Sequence, residues 1–153
     1  MGRAPGLLAA VEATGAGAFV ADTAPIIYRI ERGADARLVR ACDPLFDAVE
    51  ERELGCLVSS VSVAELLIEP FRTGPAAVSA IDAFLRQPSL GIAEVDKAIA
   101  RTGAELVARS RVSRLPGALI AATGFEYGLP VVTGDRRLAR SIERDVFLVS
   151  DYR

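Results

Sequence analysis

At 153 residues and a net charge of -2, the chain is sized for one domain with a real core, and its charge sum neither demands nor excludes a nucleic-acid partner. Hydrophobic residues make up 51%, aromatics only 6% and tryptophan is absent, so the core must be built from Ala, Val, Leu and Ile, as suits helices close-packed on a sheet. Histidine is also absent, which removes Ser-His-Asp and Cys-His hydrolases, histidine general bases and histidine-bound zinc.

Residues 1–17 are Ala/Gly-rich, with a short helix over Leu7 to Glu12 or else a loose lead-in. Ala18 to Ala21 reads as a first strand closed by Asp22. A helix opened by Pro25 runs to Ile30 and is stopped by Gly33. Ala36 to Glu53 is helical in pattern, with Pro44 marking a break or a second start. Cys56 to Ser59 is a second strand. Ser60 or Ser62 then caps a helix over Val61 to Phe71 that carries Glu65. A helix over Ala76 to Arg86 and a strand over Leu90 to Val95 follow, and Asp96 caps a long helix to about Val112.

The stretch from Arg114 to Asp135 parses as helix, turn, strand, acid. Pro116 suits a helix start, Gly128 a helix end, and Val131 to Thr133 a buried strand. A helix over Arg136 to Glu143 and a strand over Val146 to Val149 complete the chain. Strands alternating with helices, most of them too apolar to be wet on one face, predict a mainly parallel sheet covered on both sides. Cys42 and Cys56 lack metal-ligand spacing and read as buried small hydrophobes. No apolar run approaches the ~20 residues of a membrane span, and the N-terminal stretch is too weak for a signal peptide, so the expected location is cytoplasmic.

Parallel strands deliver Asp22, Glu65 and Asp135 to one edge, the carboxyl end of the sheet, where ligands gather in open α/β folds. Taken singly, each has a plainer role: Asp22 as a helix cap, Glu65 as a solvated helix acid, Asp135 as part of a turn with Gly134. Together they repel one another, and a hard divalent cation such as Mg²⁺ or Mn²⁺ resolves that repulsion. A metal so held suits phosphodiester hydrolysis.

Val20-Ala-Asp-Thr-Ala-Pro-Ile-Ile-Tyr28 resembles the first motif of PIN-domain ribonucleases, and Val61-Ser-Val-Ala-Glu-Leu66 resembles the second. Leu115-Pro-Gly-Ala-Leu-Ile-Ala-Ala-Thr123 and Leu129-Pro-Val-Val-Thr-Gly-Asp135 resemble the third and fourth, in order and at suitable spacing. The resemblance implies a three-layer α/β/α sandwich over residues 18–153 behind an N-terminal extension, 1–17. It also implies Mg²⁺- or Mn²⁺-dependent cleavage of single-stranded RNA, with Asp22, Glu65 and Asp135 as catalytic metal ligands. The VapC toxins of VapBC pairs are a common form of this family, which implies a small antitoxin partner and a homodimer built from the early helices.

The third motif normally supplies an aspartate where this chain has Gly117. Glu126 lies nine residues further along the helix, roughly 13 Å away at 1.5 Å per residue, and cannot replace it. Glu69, one turn past Glu65, reads as a surface acid. Arg111, Arg114 and Arg136 are candidates for contacting RNA phosphate, or else solvated helix-end charges. The rival to a working nuclease is a catalytically degenerate PIN-like domain that binds RNA or a protein partner without cleavage. A phosphatase-type site ranks lower, because Lys97, the sole lysine, lies away from the expected edge.

Overall fold

All five runs expected to be strands are strands: β1 (Ala18–Ala21), β2 (Gly55–Ser59), β3 (Leu90–Ala93), β4 (Val131–Thr133) and β5 (Val146–Leu148). The computed structural model describes residues 5–33, 35–110, 112, 114–143 and 145–152. Every strand pairing in it is parallel, and the spatial order is β3-β2-β1-β4-β5. The chain thus lays β2 and β3 on one side of β1, then returns to place β4 and β5 on the other. The order reverses between β1 and β4, where the crossovers leave to opposite sides and a crevice opens at the carboxyl ends.

The helices among the described residues are α1 (Leu7–Glu12), α2 (Thr23–Glu31), α3 (Ala36–Glu50), α4 (Ser60–Thr73), α5 (Pro75–Leu85), α6 (Lys97–Arg109), α7 (Leu115–Tyr127) and α8 (Arg136–Ser141). The two-residue alternation of β1 sorts the core into two faces. Phe19 and Ala21 pack with Leu45, Phe46 and Val49 of α3, and Phe46 bridges Phe19 and Phe84 of α5 edge-on, at ring separations of 6.0 and 5.8 Å. Val20 points the other way, against Ile120 of α7 and Val131. Helices on both faces of a parallel sheet make the α/β/α sandwich. Leu7 and Val11 of α1 are buried in the α3 core.

As its small residues predicted, α7 is packed on several sides, with Ala118, Ala121, Ala122 and Gly124 buried. Its neighbour α6 comes close at Gly103, where a Cβ would stand 2.8 Å from a methyl of Leu119. Cys42 and Cys56 are buried free thiols, pushed up to about 12 by that burial, and are inert.

Local details differ from expectation where proline and serine are concerned. Pro44 does not break α3, because it lies on the exposed side of a helix whose other face is held by Cys42, Leu45 and Phe46; Pro70 sits inside α4, as expected of a helix that runs to Phe71. Ser59, at the end of β2, caps α4 by accepting from the Val61 amide at 3.1 Å, one residue before the expected Ser60. Arg32, in the left-handed conformation (φ 51°), ends α2 ahead of Gly33. The last strand stops at Leu148, and Val149–Asp151 form a 3-10 turn. No helix among the described residues is long and apolar enough to cross a membrane.

Candidate active site

Asp22 and Asp135 stand on either side of the reversal point. Asp22 follows β1 directly and Asp135 follows β4 after Gly134, and each caps the next helix, so both acids sit where a strand gives way to a helix over the crevice. Asp22 accepts from the Thr23 amide with Oδ1 and from the Thr133 hydroxyl with Oδ2, both at 2.7 Å. The same Thr133 oxygen accepts from the Asp135 amide at 2.9 Å. Thr133 is fully buried and therefore ties the two acid-bearing turns together across the β1–β4 seam. Asp135 uses Oδ1 on the amides of Arg137 and Leu138, at 2.9 and 3.2 Å.

Glu65 reaches the same place from α4. Its Oε1 accepts from the Thr23 hydroxyl at 2.9 Å, and that hydroxyl lies 3.2 Å from the buried Ser62 Oγ. The close approach of α2 to β4 needs Gly134, where a Cβ would stand 2.8 Å from the Tyr28 hydroxyl and 2.9 Å from the Ala24 Cβ. Asp22 is held above its ordinary 3.8, first by burial and then by the charges of Glu65 and Asp135, against the lowering effect of its Thr133 and Thr23 hydrogen bonds. The three acids foreseen from sequence are therefore close enough for Asp22 to feel both of the others.

They do not close into a cage. Among the described residues no three Asp, Glu, His or Cys side chains surround one point as metal ligands. The donor chemistry, all carboxylate and hydroxyl oxygen, suits a hard cation that keeps most of its water shell and takes one or two carboxylates. The residues fit such a loosely held ion.

Gly117 lies in the first turn of α7 and lines a small pocket with Val112, Arg114, Asp135, Arg137 and Leu138. The position of the departed acid thus opens onto Asp135. Nothing in the packing requires glycine there: an added Cβ would meet only the Leu138 methyls, at 3.9 and 4.0 Å. Neither substitute considered for that acid serves. Glu69 lies on the exposed surface 3.6 Å from Arg72, and Glu126 near the far end of α7 accepts from Thr102 at 2.6 Å. Arg114 precedes α7, is exposed and lines the pocket; Arg136 opens α8, also exposed. Arg111 lies outside the described residues.

Sequence reasoning missed Arg137 and the three hydroxyls of Thr23, Ser62 and Thr133. An Arg-Arg pair after Asp135 gives no means of choosing which one turns toward the pocket. The hydroxyls did leave a signal, since Thr23 is next to one acid and Thr133 two residues before another, where short polar side chains commonly bond to nearby groups.

Residues 19–142 match the PIN domain family. This chain belongs to that family. No curated protein matches it. Among solved structures it resembles VapBC2 from Rickettsia felis, bound to a DNA fragment from their promoter, at 18% identity and a TM-score of 0.66 over 86% of this chain and 96% of that one. It also resembles FitAcB from Neisseria gonorrhoeae, at 20% identity and a TM-score of 0.67 over 86% and 98%. A toxin-antitoxin complex from Klebsiella pneumoniae matches at 17% identity and a TM-score of 0.62 over 86% and 97%. Identities this low speak to the shared fold, and the PIN assignment agrees with the sheet order and the acids at its edge.

Proposed function

We propose that this chain is a divalent-metal-dependent endoribonuclease acting on single-stranded RNA, and the toxin of a VapBC-type pair. One observation carries the reading: Thr133 couples Asp22 to Asp135 across the reversal of a parallel sheet, with Glu65 brought alongside through Thr23. Mg²⁺ or Mn²⁺ would be held by Asp22, Glu65 and Asp135, and when bound it supplies Lewis acidity to a phosphate oxygen and acidifies water.

The chain's own groups set the stage. The Thr23 and Thr133 hydroxyls donate to Glu65 and Asp22, keeping those carboxylates aimed into the crevice as acceptors. Their remaining lone pairs are available to a proton leaving water. Arg114 and Arg136 contact backbone phosphate, with Arg111 as a third candidate from sequence. Gly117 leaves this constellation one carboxylate short, so reduced activity is part of the reading. The test is cleavage of single-stranded RNA with Mn²⁺ or with chelator, by wild type and Asp22→Asn. Metal-dependent cleavage lost in Asp22→Asn is expected; cleavage that persists in either the chelator or the variant would sink the reading.

A second reading has one observation in its favour, the lack of a three-acid cage with glycine at the fourth position. Under it the chain binds RNA or a protein without cutting. Binding that survives in chelator, with no cleavage at any Mn²⁺ concentration, would select it.

Partners follow from the same charges. Three carboxylates that repel one another invite a guanidinium from outside, and an antitoxin that inserts an arginine would supply it. The toxin-antitoxin and VapBC assemblies among the structural relatives support a small cognate protein. A homodimer through the early helices, a cytoplasmic site of action and an N-terminal extension ending at Gly17 belong to this proposal as well.

A further inference from the structure

The pocket at Gly117 keeps its cation while lacking the anion that a carboxylate there would provide. Its volume is about 20 Å³, enough for one water-sized group such as a phosphate oxygen and far too small for a base. Its walls are Val112 and Leu138, and its polar rim is Arg114, Arg137 and Asp135.

Three further observations bear on what fills it. Glycine is a poor helix former, and the Leu138 methyls leave room for a larger residue, so packing does not explain the open space. Among the described residues Arg29, Arg32, Arg37 and Arg72 have a carboxylate partner, and Arg114 is one of several exposed arginines, Arg136 among them, that have none. Asp135 shares the rim but forms no ion pair with Arg114, and its Oδ1 accepts from two amides of α8. The first turn of α7, which carries Gly117, also has no side-chain cap, so its positive end is not satisfied by a side-chain acceptor.

We propose that the space at Gly117 is a seat for one backbone phosphate of the bound RNA, with Arg114 as its counter-charge. This rests on the reading of the chain as an RNA-binding nuclease, and it gives the glycine a purpose. The chain has exchanged a negative side chain for a place that accepts a negative substrate group. A carboxylate at 117 would occupy the seat, pair with Arg114 and repel the phosphate.

The experiment is fluorescence anisotropy of a labelled single-stranded RNA with the full chain in chelator, so that neither metal nor cleavage enters. Gly117→Asp and Arg114→Ala are each expected to weaken binding about tenfold, the size of one charge-assisted contact. Each is also expected to flatten the dependence of log K on log salt by about 0.7, the loss of one phosphate contact on a single strand. Combining them is expected to add little to either alone, because both remove the same contact. Gly117→Asn, uncharged and of similar size, separates blocked space from repulsion and is expected to fall between wild type and Gly117→Asp. Equal affinity for 5′-phosphorylated and 5′-hydroxyl oligonucleotides assigns the seat to a backbone phosphate. A preference for the 5′-phosphate that vanishes in Arg114→Ala would overturn the backbone assignment. Gly117→Asp binding as tightly as wild type, or effects of the two substitutions that simply multiply, would overturn the seat while leaving RNA binding intact. A wild type that binds no RNA overturns both seat and function.

Discussion

Two groups of carboxylates lie along α2, one at each end, and they are in opposite electrical states. At its N-terminus Asp22 is held above its ordinary value, first by burial and then by Glu65 and Asp135, with no cation supplied. Toward its C-terminus Arg29 takes Asp43, Asp47 and Glu50 of α3 at 2.8 to 2.9 Å, and Arg32 adds a second guanidinium to Asp43. There Asp43 is held below its ordinary value, by the Arg32 hydrogen bond first and by Arg29 as well, against some opposing burial. Hydrogen bonds to Glu50, Asp47 and Asp43 hold the Arg29 proton more firmly than usual despite the burial that opposes it. A carboxylate group with its counter-ion built in fastens two helices. One that forms no ion pair among the described residues, at a crevice, is poised to take a charge from outside.

The sharpest way to break that contrast is to remove charge from each group in turn. Asp22→Asn is expected to lower Mn²⁺-dependent RNA cleavage by on the order of a hundredfold or more, because it removes several kcal/mol of charge interaction at the reacting site. A variant that cleaves like wild type would place the chemistry elsewhere. Arg29→Met is expected to leave Mn²⁺ affinity unchanged while destabilising the fold by about 2 to 3 kcal/mol. That lies below the roughly 3–5 kcal/mol of a fully buried pair, since Asp47 and Glu50 are exposed. In a chain of this size that corresponds to roughly 5–10 °C in Tm. An unchanged melting temperature would mean that α2 and α3 are held by packing alone.

Gly117→Asp sharpens the contrast by adding charge instead. It raises the negative charge count at the crevice, and Mn²⁺ binding is expected to tighten about tenfold, as metal sites tune affinity by ligand charge. RNA cleavage at saturating RNA is expected to rise with it, and Asp22→Asn in the same chain to cancel the gain. Titration calorimetry with Mn²⁺ reads the first effect and single-turnover cleavage the second. Equal Mn²⁺ affinity in wild type and Gly117→Asp would show that the added acid does not reach the ion. The same substitution is expected to weaken metal-free RNA binding, so one residue moves the two affinities in opposite directions.

The sequence made the strands and most caps legible, because their signals are local. The β-branched run at Val131–Val132, the apolar run at Phe19–Val20, the cap at Asp96 and the left-handed Gly128 all behave as read. Convergence of Asp22, Glu65 and Asp135 was legible once parallel strands were inferred, since each follows or nearly follows a strand. Strand order was not legible: it depends on which faces pack, and periodicity does not say that β4 returns beside β1. Pro44 misled for a related reason, as tertiary burial of the surrounding helix outweighs the loss of a backbone bond. The partners of Thr133 and Ser62 were hidden because a hydroxyl's partner is decided by what folds against it, 111 residues away for Thr133 and 39 for Ser62.

The smallest effect, and the most direct probe of the two electrical states, is the pH dependence of stability in chelator. Asp22 has a folded value raised above its unfolded one, so the folded state binds its proton more tightly. Its favourable contribution is fully present below about 3.8 and is lost as pH rises through the raised value. Asp43 has a folded value lowered, so its contribution is present above about 3.8 and is lost as pH falls through the lowered value. The two acids therefore pull the stability curve in opposite directions, in windows on opposite sides of the ordinary aspartate value. Asp22→Asn is expected to gain on wild type as pH is raised from 4 toward neutrality, since the variant has no charge to bury. Asp43→Asn is expected to lose on wild type as pH rises through the lowered Asp43 value to about 3.8 and to keep a constant deficit from there to neutrality, having no charge to pair with Arg29 and Arg32. Melting temperatures of the three chains from below about 3.8 to neutrality, in chelator, are the measurement. Addition of Mn²⁺ should then reverse the first sign, because the ion stabilises ionised Asp22 in wild type and finds no such partner in Asp22→Asn. Parallel curves for the two variants would mean that the carboxylates at the two ends of α2 share one environment, and the division between fastening and poised acids would be lost.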